Sequence, residues 1–180
     1  MITFIVFNGP PYSGKTTIAR ETAIRLRNKG LRVVSDSFAA PMKHFIAATL
    51  SQPYVEMAKD VPRVELSGYS VREFLIDLSE HYIKPRYGDD AFGRWLVHRA
   101  LKHPDGLPDV VVVDDSGFGP EFDALDEKRL IHVVRPGKDF TGDSRGYLSN
   151  PWRIIHNDGS LLDLSGKIEA IVTELTTGVW

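Results

Sequence analysis

The sequence predicts an α/β fold, a three-layer sandwich in which helices cover a five-stranded parallel sheet. Three observations carry that prediction. Short apolar runs of strand length alternate with segments of helical spacing along the chain. Val110-Val111-Val112-Val113 is apolar without a break, the pattern of a strand buried on both faces of a parallel sheet. Ile2 to Phe7 leads through a Gly-rich turn into a helical segment, a strand–turn–helix opening.

The elements follow in order. Ile2–Phe7 is the first strand. Thr16–Asn28 has helical spacing of Ile18, Ala19, Ala23, Ile24 and Leu26, and Gly30 ends it. Leu31–Val34 is a second strand and Ala40–Leu50 a helix. Residues 51–69, with Pro53, Pro62 and Gly68, read as irregular. Ser70 opens a helix through Tyr82, with Glu73 at the capping-box position, and Pro85 and Gly88 break it. Asp89 or Asp90 caps a further helix to about Lys102. Asp109–Asp114 is the valine strand, Glu121–Asp126 a short helix, and Leu130–Val134 a fourth strand. Arg135–Pro151 is longer than an ordinary connection and reads as a lid-like loop. Arg153–His156 is the fifth strand, and a last helix runs from Ser160 to near Thr176. No repeat or linker divides the chain, so residues 1–180 are expected to form one domain.

The turn after the first strand is Gly9-Pro10-Pro11-Tyr12-Ser13-Gly14-Lys15-Thr16, the GxxxxGK[ST] phosphate-binding pattern in its required setting between strand and helix. Glycines let backbone N–H groups converge on an anion, and the helix N-terminus adds its positive end. Gly9, Tyr12, Ser13, Gly14, Lys15, Thr16 and Thr17 are therefore the candidate nucleotide-binding residues. Lys15 would reach the β- and γ-phosphates, and Thr16 would ligate Mg²⁺.

Composition narrows the partners. The net charge of −2 supplies no global basic field for nucleic acid or membrane. The absence of cysteine excludes disulfides and thiolate metal sites. No apolar run has bilayer length, and Ile2–Phe7 lacks the basic flank of a signal peptide. The expectation is a cytoplasmic enzyme.

Other candidates sit after the predicted strands. Asp114 and Asp115 close the valine strand as a Walker-B-like pair, one of which would handle Mg²⁺. Asp36 ends the second strand and reads as an acceptor-orienting group, a Mg²⁺ partner through water, or a helix cap. Lys43, one turn into the next helix, would meet an acceptor phosphate or lie in solvent; Arg72 and Arg94 offer the same choice. Arg145, in the long loop with Asp143 and Ser144, supplies the mobile positive charge that phosphoryl transfer needs; Arg135 and Lys138 are neighbouring alternatives. Asn157-Asp158-Gly159 follows the last strand, where a polar turn would offer groups to a nucleobase or simply cap the helix.

In order, these segments resemble the bacteriophage-type deoxynucleoside monophosphate kinases, within the wider adenylate-kinase and dephospho-coenzyme-A-kinase set of P-loop kinases. Ser37-Phe38-Ala39-Ala40-Pro41-Met42-Lys43 looks like that family's "sFAdPlK", and the stretch around Arg72 its "R.lL". Ile83-Lys84-Pro85, Tyr87-Gly88 and Phe92-Gly93 look like "IKP.yG...FG", and Asp115 to Glu121 like "D.RF.nE". Gly142–Arg145 looks like "gDSR" and Ile155–Leu161 like "i.NdGsl". The resemblance implies strand order 2-3-1-4-5, ATP and Mg²⁺, and a small nucleotide as partner. It places the acceptor among residues 36–94, with Phe38, Lys43, Arg72, Lys84 and Arg94 as binding candidates. It places adenine near Asn157–Gly159 and has Arg145 act from the lid; Lys15 and Arg145, with Asp36 or Asp115 as the base that a hydroxyl acceptor would need, are the catalytic candidates. One departure stands out: Gly117 occupies the position of the family's Arg before Phe118. A neighbouring possibility is then a kinase of hydroxymethylated bases such as hydroxymethyluracil, with DNA as acceptor. A nucleotide-binding switch or NTPase without an acceptor is the third reading.

Overall fold

A computed structural model describes residues 1–53, 58–115 and 118–177. The chain divides into two compact units, one formed by Met1–Phe38 with Gly93–Trp180 and the other by Ala39–Phe92.

The first unit carries the sheet. Its strands are β1 (Thr3–Asn8), β2 (Val33–Asp36), β3 (Val110–Val113), β4 (Glu127–Val134) and β5 (Arg153–His156). They are all parallel in the order β2-β3-β1-β4-β5, as the resemblance implies. β1 and β3 are buried along their whole length, which is why both lack polar alternation. The sheet covers α1 (Lys15–Asn28) and the last helix, α7 (Leu161–Thr177), through a core of Ile5, Phe7, Ile18, Leu26, Ile131 and Val172 with their neighbours. Arg25 ties the two helices: its guanidinium donates to the Ser165 carbonyl at 2.8 Å, to Ser165 Oγ at 2.7 Å and to Glu169 at 3.1 Å. β4 begins three residues earlier than the apolar pattern indicated, because Glu127, Lys128 and Arg129 pair with Thr3, Phe4 and Ile5 of β1 despite their charge.

The second unit holds α2 (Ala40–Thr49), a short 3₁₀ turn (Val64–Leu66), α3 (Val71–Asp77) and α4 (Lys84–Tyr87). Ile46, Leu66 and Val71 form its small core with Phe74 and Leu75 against them. Ser70 and Glu73 make the expected reciprocal capping box. Pro85 does not break the helix as its sequence position suggested. A π-helical stretch, Leu78–Ile83, joins α3 to α4, so the chain stays helical to Tyr87. Proline lacks the N–H that would continue the ladder. The wider turn absorbs that loss, and Arg86 donates to the Tyr82 carbonyl at 3.1 Å while its guanidinium lies 4.0 Å from the Tyr82 ring centre. Residues Tyr54–Met57 fall outside the described set.

α5 (Ala91–Leu101) and α6 (Gly119–Asp123) complete the chain. Gly93 on α5 packs directly on the Glu121 backbone of α6: a Cβ there would collide with the Glu121 carbonyl and come within 2.8 Å of Ala124 Cβ. Neither neighbour is the free end of a flexible side chain. Gly93→Ala is expected to destabilise the protein by about 1–3 kcal/mol, the usual range for overpacking, read as a lowered urea midpoint at unchanged m-value.

Candidate functional site

The parallel register brings the ends of β2, β3, β1, β4 and β5 to one edge. Asp36 is level with Val113, Val113 with Val6, and Val134 with His156. The P-loop therefore emerges at the carboxyl end of the central strand, where open α/β sheets bind their ligands.

Gly9 passes so close to β4 that a Cβ would strike the Val133 carbonyl. Gly14 is in the left-handed region (φ 100) at the N-cap of α1, where a Cβ would lie 2.6 Å from Asn157 Nδ2. No side chain caps α1, and its first turn has no acidic residue. Among the described residues, its first N–H groups are thus left for an external acceptor, and Ser13 Oγ is buried without a hydrogen-bond partner. Thr16 and Thr17 are exposed in that first turn. These features fit a phosphate cradle. Tyr12 is the unusual member: a bulky residue at φ 61, with its side chain largely in solvent.

Lys15 folds back over this bend, its Nζ donating to the carbonyls of Gly9 at 2.6 Å and Pro10 at 2.7 Å. Burial lowers its pKa to about 8, and the charge of Arg145 adds to the effect; Asp143, Asp115 and Asp114 pull the other way. Arg145 is half-buried and gripped by Asp143, with Nε–Oδ1 2.8 Å and Nη2–Oδ2 2.6 Å. That pair, and the more distant charges of Asp115 and Glu121, hold the guanidinium more firmly in its charged form. Lys15, Arg145, Asp114, Asp115 and Asp143 are therefore electrostatic neighbours.

The segment 135–151 that bears Arg145 is docked, not loose, around residues 146–148. Asn8, fully buried at the end of β1, donates to the Gly146 carbonyl and accepts from the Leu148 N–H, both at 3.1 Å. His132 Nε2 lies 2.9 Å from the Leu148 carbonyl, and Tyr147 donates to the Val133 carbonyl at 3.2 Å. Arg135 donates to the Tyr12 carbonyl at 3.2 Å, and Lys138 Nζ stands 5.7 Å from the Tyr12 ring centre. Asn8 was not among the residues the sequence singled out; its signal is a polar residue closing an otherwise apolar strand directly before the P-loop.

The remaining candidates divide. Asp115 Oδ1 accepts the Phe38 N–H at 2.8 Å, joining the ends of β3 and β2. Asp36 forms a two-point pair with Arg99 of α5, at 2.9 and 3.2 Å, and Arg99 also donates to the Ser37 carbonyl. Nothing in the local sequence marks Arg99 as its partner. Asp158 pairs with Lys167 at 2.9 Å, and Gly159 leads to a capping box between Ser160 and Asp163. In the second unit, Arg72 pairs with Asp60 at 2.5 Å, Lys84 with Glu80 at 2.7 Å, and Lys43 lies half-buried on α2. Arg94 is exposed on α5, and Gly117 lies outside the described residues.

No family model matches the chain. Among curated proteins, it is 31% identical over 122 residues to the ESX-1 secretion system protein EccA1 of Mycobacterium tuberculosis (strain H37Rv). It is 32% identical over 124 residues to EccA1 of Mycobacterium leprae. Each match covers 67% of this chain and 20% of the relative, so the chain spans about a fifth of the length of these proteins. Among solved structures, an APS kinase, CysC of Mycobacterium tuberculosis, superposes with a TM-score of 0.50 at 14% identity, over 97% of both chains. A protein described as APE1195 gives the same TM-score and identity over 99% of this chain and 96% of its own. This likeness is one of fold: the chain has a P-loop kinase-like fold.

Tyr12 offers a direct check on the bend. At φ 61 an alanine keeps the strain and a glycine releases it. Tyr12→Gly is expected to be more stable than Tyr12→Ala by about 1 kcal/mol, the reverse of the ordinary order, as measured by chemical denaturation of the two variants.

Proposed function

We propose that this chain is an ATP- and Mg²⁺-dependent kinase that phosphorylates a deoxynucleoside monophosphate to the diphosphate. The observation that carries the reading is that two cations, Lys15 at the uncapped N-terminus of α1 and Arg145, are electrostatic neighbours, with the carboxylates of Asp143, Asp115 and Asp114 around them. A site that holds like charges together is suited to a polyanion.

The P-loop N–H groups and Lys15 bind the β- and γ-phosphates. No cluster of three or more His, Asp or Glu among the described residues would hold a metal alone. That suits Mg²⁺, which takes few protein ligands and completes its shell with phosphate and water oxygens. Thr16 with Asp114 or Asp115 would hold it, and when bound it neutralises phosphate charge. An oxygen of the acceptor phosphate attacks the γ-phosphorus in line. The bond from γ-phosphorus to the bridging oxygen breaks, and ADP leaves with the electron pair. Arg145 stabilises charge on the transferring group from the place where Asp143 and Asn8 hold its loop. The acceptor oxygen is already anionic, so no general base is required. The resemblance assigns Phe38, Lys43, Arg72, Lys84 and Arg94 to the acceptor, and Asn157–Gly159 to the nucleobase of ATP.

A hydroxyl acceptor on a modified base in DNA is the second reading. It needs a carboxylate to take the hydroxyl proton, Asp36 or Asp115. Both oxygens of Asp36 already accept hydrogen bonds from Arg99, which favours the phosphate acceptor and leaves Asp115, whose Oδ1 accepts the Phe38 N–H, as the base this second reading would use.

An ATP-consumption screen with deoxynucleoside and ribonucleoside monophosphates, and with oligonucleotides bearing ordinary or hydroxymethylated bases, decides between them. Turnover is expected with at least one deoxynucleoside monophosphate. It should fall by orders of magnitude in Lys15→Ala and about a thousandfold in Arg145→Ala, the scale of an arginine that meets the transferring phosphoryl group. Turnover on DNA alone would move the assignment to the second reading. Hydrolysis indifferent to every acceptor would make the chain an NTPase.

The pH profile tests Lys15 separately. Its ammonium is the binding form, and with a pKa of about 8 it is lost as pH rises. kcat/KM for ATP is expected to decline above about pH 8. The decline in kcat should come later, since bound phosphate favours the cation. Lys15→Arg should remove the alkaline limb of kcat/KM, because a guanidinium does not titrate there.

A further inference from the structure

The resemblance puts Asn157 beside a nucleobase, but the structure gives its carboxamide another partner. Asn157 Nδ2 donates to the Ser13 carbonyl at 2.8 Å and lies 2.6 Å from the place a Cβ on Gly14 would occupy. Its own N–H is anchored on the Val134 carbonyl at 2.7 Å, so the side chain projects from the paired end of β5.

The Ser13 carbonyl and the Gly14 N–H belong to one planar trans peptide, and they point in opposite directions. Whatever holds the carbonyl outward therefore aims the N–H at the opposite side. Gly14 by itself does not fix that plane, since glycine accepts both signs of φ. Ser13 Oγ, which has no hydrogen-bond partner among the described residues, gives no help. We propose that Asn157 is a positioning residue of the P-loop, latching the Ser13–Gly14 peptide so that the Gly14 N–H faces the phosphate cradle. The proposal rests on the reading that the cradle binds a polyphosphate.

Inorganic tripolyphosphate separates this role from nucleobase contact, because it has no base. Calorimetric titration of wild type, Asn157→Ala and Asn157→Leu with Mg·ATP and with Mg·tripolyphosphate makes the comparison. The leucine variant fills the same space without the donor and serves if the alanine variant fails to fold, as judged by circular dichroism. Both ligands are expected to weaken by the same factor, about tenfold for one lost hydrogen bond. A loss confined to ATP would overturn the latch and return Asn157 to the nucleobase. Unchanged binding of both ligands would also overturn it, while leaving the phosphate reading in place. Wild type that binds neither ligand would overturn the phosphate reading and the latch together.

Discussion

The bend between β1 and α1 is squeezed from two sides, and the rest of the site depends on that confinement. Gly9 lies against the Val133 carbonyl of β4, and Gly14 lies against the carboxamide of Asn157. The bend has to bring several N–H groups to one point, so its own carbonyls must turn outward. Lys15 meets two of them and Asn157 a third. These contacts require β4 and β5 to run past the end of β1, and the parallel register delivers it: Asn8 pairs with His132, while β4 and β5 continue to the Val134–His156 pair. They also require α1 and α7 to sit on one face of the sheet, where Arg25 joins them. The sheet, the helix pair and the bend are thus one constraint expressed at three scales.

Electrostatics pulls against this arrangement. Lys15 and Arg145 are like charges, both partly removed from water, and burial together with the charge of Arg145 disfavours the charged form of Lys15. Guanidinium chemistry settles which yields: Arg145 stays charged and Lys15 is depressed. Asp143 grips Arg145 directly, while Asp114 and Asp115 act on Lys15 through space. Folding free energy holds the cations in place before any ligand arrives. Preorganised charge of this kind needs no rearrangement at the moment of reaction.

Much of this was legible in the sequence, and the exceptions share a cause. The P-loop and the valine strand are local signals, set by residue type and spacing, and they appear where expected. Strand order came from the resemblance of ordered segments, since no periodicity reports which strands are neighbours. What escaped were partnerships between residues far apart in the chain. Asn8 meets residues 146–148, Asp36 meets Arg99, and Asn157 meets Ser13. A polar residue at a strand end looks the same whether it faces ligand or backbone, and only tertiary structure chooses. Pro85 shows the converse error. Its local signal for helix termination is strong, but a π-helical stretch and the Arg86 side chain absorb it.

The same contrast bears on the two sides of the proposed reaction. The donor side is built from backbone, glycine and buried side chains, so its geometry is costly to change. The acceptor candidates Arg72 and Lys84 are held differently, by ion pairs within the second unit. The Arg72–Asp60 pair is half in solvent, and such pairs contribute about 0–1 kcal/mol. A substrate phosphate would displace Asp60 at little cost. Lys84 is nearly buried against Glu80, and removing one member of such a pair is far more disruptive. On the proposed reading, Arg72 is therefore the cation free to answer to substrate, and Lys84 the one that first has to satisfy the fold. A change of acceptor would then come through Arg72 and its neighbours, with the P-loop, its lysine and the Arg145 loop left as they are.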